Sequence, residues 1–121
     1  MNYKQEFGNY GEEEAARYLQ NINYKIIERN YSCKFGELDI IAYDCFNNEI
    51  VIVEVKSRQQ MLYGSPAEAV DSNKKSHIKK ATEFYACLNH LENYNFRFDV
   101  IEILSFPREK LKLNHIIQAF E

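Results

Sequence analysis

The sequence has no tryptophan, only two prolines and only four glycines. No Pro/Gly-rich linker or low-complexity tract divides it, so one domain over residues 1–121 is the expected organisation. Its three cysteines, Cys33, Cys45 and Cys87, are odd in number and lack a CxxC spacing. They suit neither a disulfide framework nor a zinc site and point to a reducing cytoplasm. No apolar run approaches the roughly 20 residues of a membrane span. The opening stretch, MNYKQEFGNYGEEE, is too polar and acidic for a secretory signal. His77, His90 and His115 are scattered, without metal-ligand spacing. Positive charge is also in deficit, with 15 basic against 18 acidic residues and a formal charge of −3. That balance disfavours a strongly basic nucleic-acid coat but permits a local basic patch.

What is present is ordinary globular material: 45% hydrophobic and 14% aromatic residues, enough bulk for a core without covalent staples. Ala15, Ala16, Leu19 and Ile22 recur at helical spacing and predict an amphipathic helix over residues 9–22. Strands are expected at Tyr24–Tyr31, Glu37–Asp44 and Glu49–Ser57. A turn at Cys45-Phe46-Asn47-Asn48 joins the last two as an antiparallel hairpin. Ser65-Pro66-Ala67-Glu68 reads as a capping box, followed by a short helical turn that breaks near Asp71. Ile78, Ala81, Tyr85 and Leu88 mark a second amphipathic helix, and strands follow over residues 96–104 and 111–120. A strand that follows a long helix returns parallel to the sheet. The expected fold class is α/β, a small mixed β-sheet flanked by α-helices.

Charges interrupt this pattern where a core belongs. Ile50, Val51, Ile52, Val53 and Val55 read as a central strand covered on both faces, yet Glu54 and Lys56 break its C-terminal end. With a period of two these share one face, about 7 Å apart along the strand. In the preceding strand, Leu38, Ile40 and Ala42 are expected on one face and Asp39 and Ile41 on the other. Asp39 and Glu54 are fifteen residues apart, and a turn near 46 or 47 sets them almost opposite each other. Two facing carboxylates repel and call for a positive partner between them; Lys56 and a divalent cation are the candidates. Glu12 lies on the inward side of the first helix, where the helix dipole also favours an acid. Glu37 reads either as an additional ligand or as a polar strand start.

Hard divalent ions such as Mg²⁺ or Mn²⁺ take carboxylate and backbone oxygens. Asp39, Glu54 and the carbonyl of Val55 can supply such a half-shell. A lysine beside the ion orients water or stabilises developing charge, which is equipment for phosphodiester hydrolysis. Basic residues concentrate beside this strand. Residues 54–82 hold six basic against three acidic residues, whereas residues 1–53 and 83–121 are net acidic. Arg58, Lys74, Lys75 and Lys79 read either as phosphate contacts or as an ordinary solvated face. No base-reading motif is present, so shape or junction recognition is favoured over sequence readout.

Asp39 followed by Glu54-Val55-Lys56 resembles the PD-(D/E)xK signature of the restriction-endonuclease-like superfamily, with Leu38 in place of the usual proline. The ordered segments GNYGEEEAARYL, RNYSCKFGELDIIA, IVEVKSR, YGSPAEAV and RFDVI are similar to the YraN-like bacterial family. That resemblance covers the chain from about Phe7 to Phe120. It implies a restriction-endonuclease-like fold akin to that of archaeal Holliday-junction resolvases. It further implies Glu12, Asp39 and Glu54 as metal-site acids, Lys56 as the catalytic lysine, and Mg²⁺ or Mn²⁺ as cofactor. The implied partner is structured or branched DNA, met by a homodimer. A binding module that keeps the fold without catalysis is the alternative.

Overall fold

The computed structural model describes residues 3–59 and 71–121. Its elements run α1 (Tyr3–Asn21), β1 (Tyr24–Cys33), β2 (Gly36–Asp44), β3 (Glu49–Gln59), α2 (Ser72–Leu88), β4 (Asn95–Ser105) and β5 (Lys112–Phe120). The expected order of elements is present. α1 begins at Tyr3, one and a half turns earlier than the apolar spacing predicts. The capping box at Ser65–Glu68 lies outside the described residues. Among these, no helix is long and apolar enough to cross a membrane.

The five strands form one mixed sheet in the order β1-β2-β3-β4-β5. Only β3 and β4 run parallel, as expected of strands linked through a helix. The β2–β3 hairpin is set by Asp44, whose Oδ1 accepts from the Phe46 and Asn47 amides (3.0 and 3.2 Å). Asn48 closes the turn at φ 56°, in the left-handed region that Asn tolerates. Between β1 and β2, Gly36 adopts φ +146°, which a side chain rarely permits.

Each face of the sheet carries one helix. Ala15, Ala16 and Leu19 of α1 pack on Ile40, Ala42, Val51, Val53, Ile101 and Ile103. On the other face Ile78, Ala81 and Tyr85 of α2 pack on Leu38, Ile41, Ile50, Ile52 and Val100. β3, sandwiched in the middle, is buried on both sides from Ile50 to Glu54, which explains its unbroken apolar run. Two residues expected on the inner faces are displaced from them. Ile22 (39% exposed) follows the end of α1, and Leu88 (59% exposed) is the last residue of α2. Helical periodicity stops being a guide at a terminus, where the chain leaves the helical screw.

A third correction bears on function. Leu38 was expected beside Ile40 and Ala42 but packs on the α2 side with Ile41, while Ile40 and Ala42 face α1. The alternation of the pleat is broken at Asp39. The neighbouring strand breaks at the same level. Arg29 pairs with Ile40 and Tyr31 with Leu38, and between them Asn30 has φ 54°. Arg29 bonds Glu13 of α1 (2.7 Å), while Tyr31 stacks edge-on against Tyr85 of α2. A left-handed residue in a strand resets which face the following side chains take.

At the N-terminal ends of β3 and β4, buried charges are fully matched. Arg97 binds both oxygens of Asp99 (2.9 Å each), Asp44 (2.9 Å), Glu49 (3.1 Å) and the Tyr24 hydroxyl oxygen (2.6 Å). His115 Nε2 lies 2.7 Å from Asp99, and its Nδ1 lies 3.0 Å from the Tyr18 hydroxyl. Burial would raise the Asp44 carboxyl, but Asn47 and Arg97 hold it down at about 2. This network ties β2, β3, β4 and β5 to the start of β1.

α1 crosses β3 closely because Gly11 is small. A Cβ there would overlap the Ser57 hydroxyl and stand 3.2 Å from Ser57 Cβ. Gly11→Ala is therefore expected to lower stability by about 1–3 kcal/mol despite the better helix propensity of alanine. Urea unfolding should show it, with partial recovery when Ser57→Gly is added. Arg97→Met strands the fully buried Asp99. A loss of about 3–5 kcal/mol in the same measurement is expected.

Candidate metal and nucleic-acid site

The β2–β3 ladder ends at the Ile40–Val53 pair. One step further, Asp39 and Glu54 stand across from each other where the strands separate. The break at Asp39 turns its carboxylate into the opening, and Oδ2 accepts from the Val55 N–H at 2.8 Å. The Val55 amide, rather than its carbonyl, is thus the backbone group that meets Asp39. Glu54 is 8% exposed and lies in the field of the Asp39 charge. Burial above all, then the charge of Asp39, pushes the Glu54 carboxyl up to about 7, against the pull of Lys74 and Lys56. Burial raises Asp39 too, opposed by the Val55 amide and Lys74. Both carboxyl groups are thus harder to ionise than usual, the response of like charges held close in a desolvated place.

The positive partner differs from the sequence expectation. Lys74 Nζ, from the first turn of α2, stands 3.2 Å from Glu54 Oε1, and Glu54 raises the lysine's own pKa. Lys56 follows two residues along β3, on the same side of the sheet, and exerts a weaker pull on Glu54. The first turn of α2 carries no acid, so lysine sits against the positive end of the helix dipole, an unfavourable placement in isolation. That mismatch was the signal in the sequence that Lys74 answers to something outside its helix.

Glu12 approaches from α1. Burial and Asp39 raise its pKa, while Arg29 and a hydrogen bond from the Asn30 side chain lower it. Glu37 contributes to the same negative field, raising both Asp39 and Glu12. Among the described residues no group of three or more His, Cys, Asp or Glu side chains converges as a ligand set. Of the three expected acids, Asp39 and Glu54 lie one step past the last β2–β3 pair, and Glu12 feels the Asp39 charge from α1. The pair fits a hard divalent ion in chemistry: both ligand groups are carboxylates, and their raised pKa values mark a place that favours positive charge.

The basic residues diverge. Lys74 joins the acids, Lys75 lies over the Phe120 ring (5.6 Å), and Lys79 lines a separate cavity of about 480 Å³ with Phe96 and Phe98. Arg58 is half-buried at the end of β3. A second cavity, of about 510 Å³, opens beside the acids and is lined by Lys34, Glu37, Lys74 and His77. His77 Nδ1 lies 3.0 Å from the Phe35 carbonyl oxygen. A carbonyl only accepts, so Nδ1 carries the proton and Nε2 is left for a ligand. Lys34 went unnoticed in the sequence and His77 read only as one of three scattered histidines, because the β1–β2 turn and α2 meet only in the fold.

Residues 11–103 match the profile of the uncharacterised protein family UPF0102. The chain is 45% identical over 120 residues to a UPF0102 protein of Caldanaerobacter subterraneus, covering 97% of this chain and 96% of that one. It is 42% identical over 118 residues to one of Caldicellulosiruptor saccharolyticus, covering 97% and 98%. With one of Syntrophus aciditrophicus it shares 46% over 114 residues, covering 94% and 87%.

The raised Glu54 carboxyl makes stability depend on pH. Its value of about 7 lies above the ordinary 4.5, so the folded chain keeps a proton that the unfolded chain releases. That stabilisation is complete below the ordinary value and is lost as pH rises through about 7. Between about pH 5 and about pH 8, the wild-type chain should lose on the order of 2–3 kcal/mol more than Glu54→Gln in urea unfolding. Adding Mg²⁺ at the higher pH should raise the melting temperature of the wild-type chain and leave that of Glu54→Gln unchanged.

Proposed function

The chain belongs to the UPF0102 family, and from that premise we propose that it is a metal-dependent nuclease acting on structured or branched DNA. The observation that carries this reading is the desolvated Asp39–Glu54 pair, two neighbouring carboxylates with lysines at hand. In this reading the sheet and helices are a restriction-endonuclease-like fold and Asp39, Glu54 and Lys56 are its PD-(D/E)xK set. Asp39 and Glu54 would hold Mg²⁺ or Mn²⁺, with Glu12 and the Val55 carbonyl as further ligands, and an ion there would supply charge neutralisation and water activation.

The chain's own groups do the rest. Asp39 is pinned by the Val55 amide, so one carboxylate keeps its position whether or not an ion is present. Glu54 gives up its proton, and Lys74 is freed to face a phosphate oxygen. Lys56, on the same side of β3, orients the attacking water or stabilises charge on the phosphate. Lys34, His77 and Arg58 receive the flanking backbone, and Lys75 and Lys79 extend the contact along α2. The net acidic chain limits how firmly DNA is held by charge alone. A homodimer supplies two such sites to a symmetric junction, in a reducing cytoplasm that suits three free cysteines.

One observation favours a second reading. Lys74 already neutralises Glu54, so the pair is satisfied without an ion, as in a nucleic-acid-binding or partner-binding module that keeps the fold without catalysis. Four-way junction DNA with Mn²⁺ separates the two. Under the first reading the wild-type chain cuts it, and Asp39→Asn and Lys56→Ala lower the rate by about a hundredfold or more with melting temperature preserved. Fluorescence binding without cleavage identifies the module. Absence of both binding and cleavage overturns the two together.

A further inference from the structure

β4 carries an acid in an apolar run, Val100-Ile101-Glu102-Ile103-Leu104. Glu102 is only 3% exposed. Its Oε1 accepts from Asn114 Nδ2 at 2.9 Å, while its Oε2 is buried without a hydrogen-bond partner. A desolvated carboxylate oxygen left open is costly and rare, and the cost calls for a cation within reach.

The sheet register supplies one. In the parallel β3–β4 ladder Glu54 pairs with Val100 and Lys56 with Glu102. Val100 packs towards α2, and Ile101 and Ile103 pack towards α1. Glu54, Lys56 and Glu102 therefore lie on the α2 side of the sheet. Neighbouring strands are about 5 Å apart, well within the reach of a lysine side chain. Two nearby cations are placed elsewhere: Lys74 is on Glu54, and Arg97 is held by Asp44, Glu49 and Asp99. Lys56 forms no ion pair with a described carboxylate.

We infer that Glu102 is a positioning residue for Lys56: its open oxygen takes the Lys56 ammonium across the ladder and fixes it beside the Asp39–Glu54 pair. The functional meaning of that placement rests on the nuclease reading, whereas the pairing itself does not. A lysine on a half-exposed strand end has many rotamers, and a reacting phosphate needs it in one of them. A buried carboxylate on the adjacent strand selects that one without occupying the acid pair. Asn114, on β5, holds the other oxygen and sets the direction of the carboxylate.

The test is a double-substitution cycle read by urea unfolding, which needs no cleavage. Glu102→Gln keeps the shape and removes the charge. Lys56→Met should lower the folding constant about fivefold in the wild-type chain and less than twofold in the Glu102→Gln chain. In ¹⁵N-lysine spectra at fixed pH, the ammonium resonance that disappears in Lys56→Met should shift in Glu102→Gln, which a merely structural acid would not cause. Additive substitutions, or an unmoved resonance, overturn the assignment. So does a cycle in which Arg58→Met, in place of Lys56→Met, couples to Glu102. Because neither readout involves DNA, these failures leave the nuclease reading untouched. A chain that cuts nothing leaves the pairing equally decidable.

Discussion

Two carboxylates brought close together in a place water barely reaches cannot both be ionised without a cation. Much of the structure around Asp39 and Glu54 answers to that constraint. The ladder between β2 and β3 stops one pair short, the Val55 amide turns to Asp39, and Glu54 keeps a proton up to about pH 7. Lys74 stands in the first turn of α2 against the helix dipole to reach Glu54. None of these features improves the fold taken alone. Together they maintain a seat for positive charge at the C-terminal half of the central strand.

The two ends of the parallel pair make the contrast plain. At the N-terminal ends of β3 and β4, Arg97 is enclosed by three acids and a tyrosine. Asp99, with no exposure, has a partner at both oxygens. That network is saturated and anchors four strands, which is what a buried ionic cluster must do to be tolerable. Towards the other end the acids are less well matched: burial raises both Glu54 and Asp39, and Glu102 has an open oxygen. One sheet thus carries a saturated ionic network at one end and a cluster of strained acids at the other.

The anomalies were visible as residues before any contact was known. An acid and a lysine at the end of an apolar strand, and an acid within the strand before it, stand out because such positions are normally apolar. The turn length then set Asp39 opposite Glu54, and the register agrees. Hidden from that reasoning was the break at Asn30 and Asp39. Strict alternation placed Leu38 with Ile40, whereas a left-handed Asn30 resets the faces. Periodicity assumes an unbroken pleat, and a single positive φ is not written in the residue type. Ile22 and Leu88 misled for a related reason, since each lies where its helix ends.

The sequence by itself determined the order of elements, the mixed sheet with a helix on each face, and the pairing of Asp39 with Glu54. These follow from local periodicity and from the length of one turn, quantities that a single stretch of chain contains. Only the tertiary structure decided which cation answers the acids, because Lys56 is the nearer in sequence and it is the docking of α2 that brings Lys74 to Glu54. It alone set Glu102 beside Lys56, Gly11 over Ser57, and Arg97 among acids from three strands. Such neighbours come from distant parts of the chain, and their meeting is fixed by sheet register and helix packing rather than by spacing.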